Sequence, residues 1–504
     1  MKQKKLCILL MIVLSLALAL SACSGERQSE GAESQITIGI PQDVEDSLDP
    51  HKAVAAGTEE VYFNMFEGLM KPDSNGNLNP AVASDYKISE DMKTFTFTLR
   101  GGVKFHDGSL VTVEDVKYSI ERCADTSEGA PLVAAFANIE KIELTDKQTI
   151  VITLKEADAD FLASMDAAII PADNATPDTV AIGTGPYQFV SHSPQDSFIM
   201  ERFDEYWGEI AHIERVILKV CANTDTIVMN LNGGAIDMFA RLTTTQVSQL
   251  NDDFHVLEGT MNLVQALYLN NKAEPFHHEK VRQALSYAID KEYLLDMTSE
   301  GYGTPVGSSM FPAFGKYYVA ELADYYTKDV DKAKQLLAEA GYPDGFTFTI
   351  KVPSNYTPHV EMAQVLAEEL KAINVTAKIE LIEWETWVSD VYAGRQFEAT
   401  VVGLDASTMT AGSMLQRFTT DSSKNFINYH NSEYDAAFAK AQTSMDEEVR
   451  TEAFKECQLI LAETAANVYI QDMAEFVALN KKYAGYEFYP LYVQDFSKLY
   501  IVEE

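Results

Sequence analysis

Residues 94–122 read TFTFTLRGGVKFHDGSLVTVEDVKYSIER. Phe95, Phe97 and Leu99 alternate with threonines, the period of two that turns one face of a strand toward a core. Gly101-Gly102 then predicts a hairpin turn. His106-Asp107-Gly108 reads as a second turn. Thr112 with Asp115 resembles a capping box, in which each side chain satisfies the other residue's free backbone N–H. Val113, Val116 and Ile120 fall on one face of the helix that follows. Strand, turns and capped helix in so short a span predict a mixed α/β chain.

The same patterns continue in both directions. KIEL and TIVITL, near Ile142 and Ile150, predict a further strand pair. VAIGTGPYQFVSH centres on Gly183-Thr184-Gly185-Pro186-Tyr187. It lacks the lysine and the helix pattern of a phosphate loop, and reads as a chain crossing that leads into a strand. The second half is more helical. Val281, Ala284, Leu285, Ala288 and Ile289 share one face. Ala333, Leu336, Leu337 and Ala340 share another, ended by Gly341 and Pro343. A helix through Ala363, Leu366, Leu370 and Ile373 precedes a strand with Val375, Ala377, Ile379 and Leu381 inward. SEYDAAFAKA and EEVRTEAFKECQLILAE predict two more helices, with strands between about Asn467 and Val502.

The chain has 504 residues and a net charge of −37. Such a balance repels nucleic-acid phosphates and anionic headgroups and favours solubility. The length predicts two or three lobes. Cys123, Cys221 and Cys457 are far apart and odd in number, so no disulfide framework or zinc spacing is visible. They read as small buried side chains. HExxH, GxSxG, Walker A and paired CxxC motifs are all absent, which argues against an enzyme. His277-His278 has no third ligand following at a useful spacing, so no metal or other cofactor is expected.

The N-terminus carries Lys2, Lys4 and Lys5, then an apolar run from Leu6 to Leu20, then Ser21, Ala22 and Cys23. Basic, apolar and small residues in that order form a secretory signal, here 1–22. Leu20-Ser21-Ala22-Cys23 resembles a bacterial lipobox, which implies lipidation of Cys23. Residues 23–35 contain no large apolar side chain until the strand-like text from Ile36, and read as a flexible tether. A large body is thus expected outside the cytoplasmic membrane, anchored through an N-terminal lipid.

An ordered set of segments carries a family resemblance. They are Leu48–Met70, Thr94–Arg122, GTGPYQF, NGGAIDM at Asn232–Met238, KVRQALSYAIDKEYLL, DKAKQLLAEAGYPDGF and NSEYDAAFAKA. Together the chain resembles the family 5 extracellular solute-binding proteins of bacterial ABC importers, which include oligopeptide-, dipeptide- and nickel-binding proteins. The resemblance implies an α/β, type II (cluster C) periplasmic-binding-protein fold of three lobes, with hinge closure over an interlobe cleft. Lobe I would comprise 36–65, 183–268 and 481–504, lobe II 66–182 and lobe III 269–480. It further implies a monomeric receptor without catalysis, which hands peptides or another small solute to ABC permease subunits.

The resemblance also implies ligand contacts. In peptide-binding members an aspartate after the EW-containing strand takes the peptide's amino group, and in FEATVVGLDASTM that residue is Asp405. Leu404 stands where the family usually has tryptophan, and the following DP pattern is missing. Trp384 of IEWETW matches a cleft-lining tryptophan. Dipeptide binders place an arginine before a YNP-like turn to grip the ligand carboxylate. Here KVPSNYTPH has Ser354 and Asn355 instead, which argues against a strict dipeptide ligand. Asn355, Tyr356 and Tyr429 complete the expected contacts. Longer peptides remain open, as does a nickel chelate, an opine or another small solute. Outside the family, a sensory or adhesive lipoprotein or a secreted hydrolase is the alternative reading.

Overall fold

Two sheets and the helices laid on them organise the chain. The computed structural model describes residues 34–502 apart from 45, 46, 54, 128, 222 and 407. The signal, Cys23 and residues 23–33 of the tether lie outside the described residues. Among the described residues, no helix is long and apolar enough to cross a membrane.

In chain order the first elements are β1 (Gln35–Ile40) and α1 (Ala56–Tyr62). Then come β2 (Ala83–Ile88), β3 (Thr94–Leu99), α2 (Val113–Ala124), β4 (Ile139–Leu144) and β5 (Thr149–Leu154). These last strands form a separate antiparallel sheet in the order β2-β3-β5-β4, the body of lobe II. Phe95, Phe97 and Leu99 are buried, as their alternation requires. The hairpin expected at Gly101-Gly102 does not form. Gly102 turns the chain at φ +82, but β3 pairs with β2 and β5, so it is a central strand and residues 103–111 leave the sheet. The capping box is present: Thr112 accepts from the Asp115 N–H and Asp115 from the Thr112 N–H. It starts α2 so that Val113, Val116, Ile120 and Cys123 seal the sheet.

The chain continues through β6 (Tyr187–Ser193), β7 (Ser197–Arg202), β8 (Arg215–Val220), β9 (Met238–Phe239) and the long β10 (Phe254–Leu269). Helix α3 (Glu279–Ala288), α4 (Lys291–Ser299) and α5 (Val330–Glu339) precede β11 (Thr347–Pro353). Next are α6 (Thr357–Glu369), β12 (Thr376–Ile382), β13 (Ala399–Asp405), α7 (Ala411–Leu415), α8 (Ser432–Thr443), α9 (Glu447–Glu463) and β14 (Val468–Asn480). The large sheet has the order β12-β11-β13-β10-β14-β9-β1-β8-β7-β6, with Thr304–Pro305 pairing onto β14. β11–β13 and the far ends of β10 and β14 make one half of this sheet, on the side of the expected lobe III, and the remaining strands make the other, on the side of the expected lobe I.

Local chemistry explains several departures from the periodic reading. Helix α3 stops at Ala288, and Asp290 caps a new helix by accepting the Tyr293 N–H. Strand β12 is an edge strand, so Leu381 stands 54% exposed where alternation placed it inward. The C-terminal strands reduce to one long strand, β14, and a short pair, Tyr483–Ala484 with Tyr500–Ile501. Cys123, Cys221 and Cys457 are free and buried.

Three contacts fix lobe II, the first of them at the point where the chain leaves it for lobe I. Gly183 and Gly185 lie against the backbone of Asn64 and Met65, where any Cβ would collide. The Gly185 N–H donates to the Met65 carbonyl at 2.9 Å, which feeds the chain back into β6. Second, Arg122 of α2 grips Asp49 through both guanidinium arms, Nη1 lying 3.0 Å from Oδ1. Arg122 Nη1 also donates to His51 Nδ1, leaving Nε2–H to donate to the Ala168 carbonyl at 2.7 Å. Third, Gly412 at the start of α7 leaves room for Asp160 of lobe II, which accepts from Gln442 of lobe III at 3.5 Å. Burial, then nearby Asp158, push the Asp160 carboxyl up to about 6, against the pull of Arg450.

The Asp49 carboxylate is fully buried. Arg122→Ala therefore strands a buried charge, and is expected to cost about 3 kcal/mol, at the low end for breaking a buried ion pair. Urea denaturation of the variant against the parent chain measures it; an unchanged midpoint would mean that the pair does not hold lobe II to lobe I.

Candidate functional site

Strands β10 and β14 run through both halves of the large sheet and define where a cleft can form. Their ladder is regular from Phe254 to Thr260 and resumes at Val264. At the break Asn262 adopts φ +54, a left-handed conformation that asparagine tolerates better than most residues. Its amide donates to the Thr260 and Tyr489 carbonyls at 2.9 and 3.1 Å. The Leu263 N–H, taken off the ladder, donates to Asp472 Oδ1 at 3.1 Å. Asp472 is fully buried and its Oδ2 has no partner; burial pushes its carboxyl up to about 7.

On the lobe I side of the break lies a buried charge cluster. Arg241, just beyond β9, donates Nη2–H and Nη1–H to the two oxygens of Glu60 at 2.6 and 3.3 Å. Its Nε lies 3.6 Å from Glu475 of β14, and its guanidinium carbon sits 3.6 Å from the centre of the Tyr492 ring. Gln494 adds a 2.9 Å hydrogen bond to Glu60. Burial disfavours the Arg241 charge, but Glu60, Tyr492 and Glu475 outweigh it and hold the guanidinium protonated. Glu475 is pushed up to about 7, by burial first and against the pull of Arg241.

On the lobe III side stands an aromatic wall. Trp387 is buried and donates Nε1–H to Thr400 Oγ1 of β13 at 2.9 Å. Trp384 stacks on it at 5.0 Å and 8° between planes, and is 37% exposed. Tyr356 meets Trp384 edge-on at 5.3 Å and is also 37% exposed. Burial pushes the Tyr356 hydroxyl up; the Asn355 side chain and the field of Arg241 oppose this, and Asp405 adds to it. Tyr356 thus lies within electrostatic reach of lobe I's Arg241 and lobe III's Asp405 at once. Asp405 ends β13 opposite Leu263, directly beside the break in the ladder. Among the described residues no cation lies within 4.0 Å of its carboxylate, and no side-chain hydrogen bond engages it.

His359 locks this wall together. It sits one turn into α6, is 8% exposed, and links Tyr356 to β13. Its Nε2 accepts the Gly403 N–H at 3.1 Å, and its Nδ1 faces the Gln265 amide at 2.9 Å. Both ring nitrogens thus face N–H donors, and a neutral ring can accept on one of them. An imidazolium would turn an N–H against that of Gly403. Burial alone pushes His359 down to about 4.

Of the expected contacts, the structure brings together Asp405, Trp384, Tyr356 and the exposed Asn355. Leu404 and Tyr429 it places elsewhere. Residues alternate along β13, so Leu404 points to the face opposite Asp405 and packs, 6% exposed, in the lobe III core. Tyr429 is 3% exposed in that same core, with its hydroxyl bonded to Thr464 Oγ1 at 2.9 Å. Neither has free surface to offer a solute. His277 and His278 do not point apart: their rings are 3.8 Å apart, and Glu274, which precedes them, lies 3.2 Å from His277 Nδ1 on the outer surface of lobe III. Sequence reading missed Glu60, Arg241, Glu475 and His359. Glu60 carried a signal, a carboxylate on the apolar helix face that includes Val61 and Tyr62.

Comparisons with known proteins agree on one group. The profile of bacterial extracellular solute-binding proteins, family 5, matches residues 77–426. "Heme-binding protein A" of Haemophilus influenzae is 28% identical over 471 residues, covering 86% of this chain and 85% of that protein. "Glutathione-binding protein GsiB" of Pectobacterium atrosepticum is 28% identical over 465 residues, covering 88% and 90%. Among solved structures, the periplasmic binding protein DppA of Helicobacter pylori in complex with peptide STSA superposes with a TM-score of 0.81 at 25% identity, covering 94% and 99%.

Because the folded His359 titrates near 4 and an unfolded one near 6.5, the unfolded chain binds the extra proton as pH falls through that window. The stability associated with a neutral His359 is therefore complete above 6.5 and is lost toward 4. It should drop by about 2 kcal/mol between pH 7 and pH 5. Urea denaturation at both pH values, with His359→Gln as reference, isolates this from other groups; parallel losses in the two proteins would refute it.

Proposed function

Because this chain belongs to the bacterial extracellular solute-binding proteins of family 5, a family of ABC-importer receptors and not of enzymes, we propose that its solute is a peptide gripped at its ammonium end by Asp405. What carries the reading is Asp405 itself. Among the described residues its carboxylate has no cation within 4.0 Å, and it stands at the break between the two halves, within electrostatic reach of the half-exposed Tyr356. A buried ammonium requires such a partner. The aromatic faces supply apolar contact that tolerates varied side chains. Ser354 and Asn355, where a dipeptide binder would carry arginine, favour ligands longer than two residues.

Lobe I meets the solute from the opposite side. Closure about the break at Asn262 encloses it, and the closed form is what the permease subunits engage. A lipid on Cys23 and a tether that ends ahead of β1, since Gln35, expected in the tether, already pairs with Arg215, keep the receptor near them at high effective concentration. The body acts as a monomer. A nickel chelate, an opine or another small solute is the second reading, favoured by the same missing arginine; the relatives' names, heme and glutathione among them, illustrate how far ligands diverge within one fold.

Native mass spectrometry of 24–504, purified gently from its own cells, tests the ligand class: a ladder of peptide masses is the expected result, and a single compact mass or a metal chelate would overturn it. Asp405→Asn should weaken peptides with a free amine by about tenfold or more while leaving N-acetylated ones unchanged, since a charge-assisted hydrogen bond is lost. Calorimetry decides it. Two of the chain's three tryptophans form the cleft wall, so solute should change the intrinsic fluorescence, and Trp384→Phe should remove most of that change. An undiminished response in the variant would move the solute off this wall.

A further inference from the structure

The two histidines on the outer surface of lobe III have a neighbour that lies before them in the chain. Glu274, His277 and His278 each turn a ligand atom to one place, and the three atoms lie within 4.8 Å of one another. Glu274 Oε2 is 3.2 Å from His277 Nδ1. Two ligands of one tetrahedral ion, bonded at roughly 2.0–2.1 Å, stand about 3.3 Å apart. Among the described residues no hydrogen bond engages a ring nitrogen of either histidine, and no Lys or Arg nitrogen lies within 4.0 Å of the Glu274 carboxylate.

These near neighbours in sequence converge because the turn that carries them is fixed from below. The His277 N–H donates to the Ala273 carbonyl at 3.0 Å and the His278 N–H to the Pro275 carbonyl at 3.2 Å, which folds Glu274 back over His277. Phe276, between the ligands, is fully buried and meets Phe348 of β11 edge-on at 5.1 Å. Its carbonyl accepts from Arg282 Nη1 of α3 at 2.8 Å. From the loop after α5, Tyr342 donates its hydroxyl to Glu274 Oε2 at 2.9 Å. A metal-ligating carboxylate is held by such an outer hydrogen bond. Glu274 and His277 are exposed and His278 is half-buried, so the place is open to solution and its side chains have room to draw inward.

Two imidazoles and a carboxylate suit divalent transition metals, whereas magnesium and calcium take oxygen donors. The net charge of −37 raises the concentration of cations around the molecule. We propose that Glu274, His277 and His278 bind a divalent transition-metal ion such as Zn2+ on the outer face of lobe III. The ion pins the turn before α3 to the loop after α5 and leaves a fourth position for water. The site shares no residue with the cleft and does not depend on the reading of Asp405.

Calorimetric titration of Zn2+ into the untagged mature body, 24–504, stripped of metal by a chelator, tests it. One ion per chain should bind here. Tyr342→Phe should weaken it by about tenfold, the scale of an outer hydrogen bond, and His277→Ala, His278→Ala and Glu274→Gln each by at least as much. Co2+ should give the visible absorption of a four-coordinate ion in the parent and lose it in His278→Ala. The substituted ligands lie at the surface, so the metal-free variants should keep the parent's urea midpoint, which separates lost ligation from lost fold. A parent that binds no stoichiometric Zn2+, or an affinity unchanged in both His277→Ala and His278→Ala, overturns the site.

Discussion

A backbone that leaves its ladder inside a protein must find other partners for its N–H and C=O groups, and here that requirement falls on the three residues between Thr260 and Val264. Asn262 and Asp472 meet it, one by its amide and the other by its carboxylate. The solution localises the change of direction between the halves to one short point on β10. The proposed contacts are placed relative to that point: Asp405 opposite Leu263, and Glu475 with its partner Arg241 farther along the ladder, opposite Gly259. The buried carboxyls nearby are tolerable because Arg241 offsets two of them and because Asp472 and Glu475 are protonated far more readily than exposed acids.

Electrostatics works at two ranges. The chain as a whole is strongly acidic, yet Arg241 is buried between Glu60 and Glu475. At physiological salt, charges farther apart than about 8 Å are largely screened where solvent intervenes. The acidic surface therefore bears on solubility, and the charge of Arg241 is answered inside the fold by Glu60.

Much of this was legible in the residues. The capping box at Thr112, the alternation of β3 and the glycines at Gly183 and Gly185 follow from local rules, because each states its own geometry. Asp405, Trp384 and Tyr356 came from a family resemblance, not from spacing. The two misplacements have different causes. Leu404 is adjacent to Asp405 in sequence, but strand alternation turns it to the opposite face. Tyr429 is aromatic like the wall residues, but its hydroxyl is satisfied inside the core by Thr464. The charge cluster was invisible because its members come from positions 60, 241 and 475, and only the pairing of β9 with β14 and the packing of α1 bring them together. Likewise β3 read as half of a hairpin, since nothing local announces that residues 149–154 will take the expected partner's place.

Lobe II touches no residue of the aromatic wall, yet through Asp160, Gly412 and Gln442 it meets lobe III. Gly76 lies likewise against Met409 and Pro490, one from each of the other lobes. With closure as proposed, such contacts would act as a mechanical stop: the end point would be set by protein meeting protein, away from the solute, and cargoes of different bulk would leave the same outer contour. A permease reading that contour would need to recognise only one shape, and selectivity could drift in the cleft without any matching change in the membrane machinery.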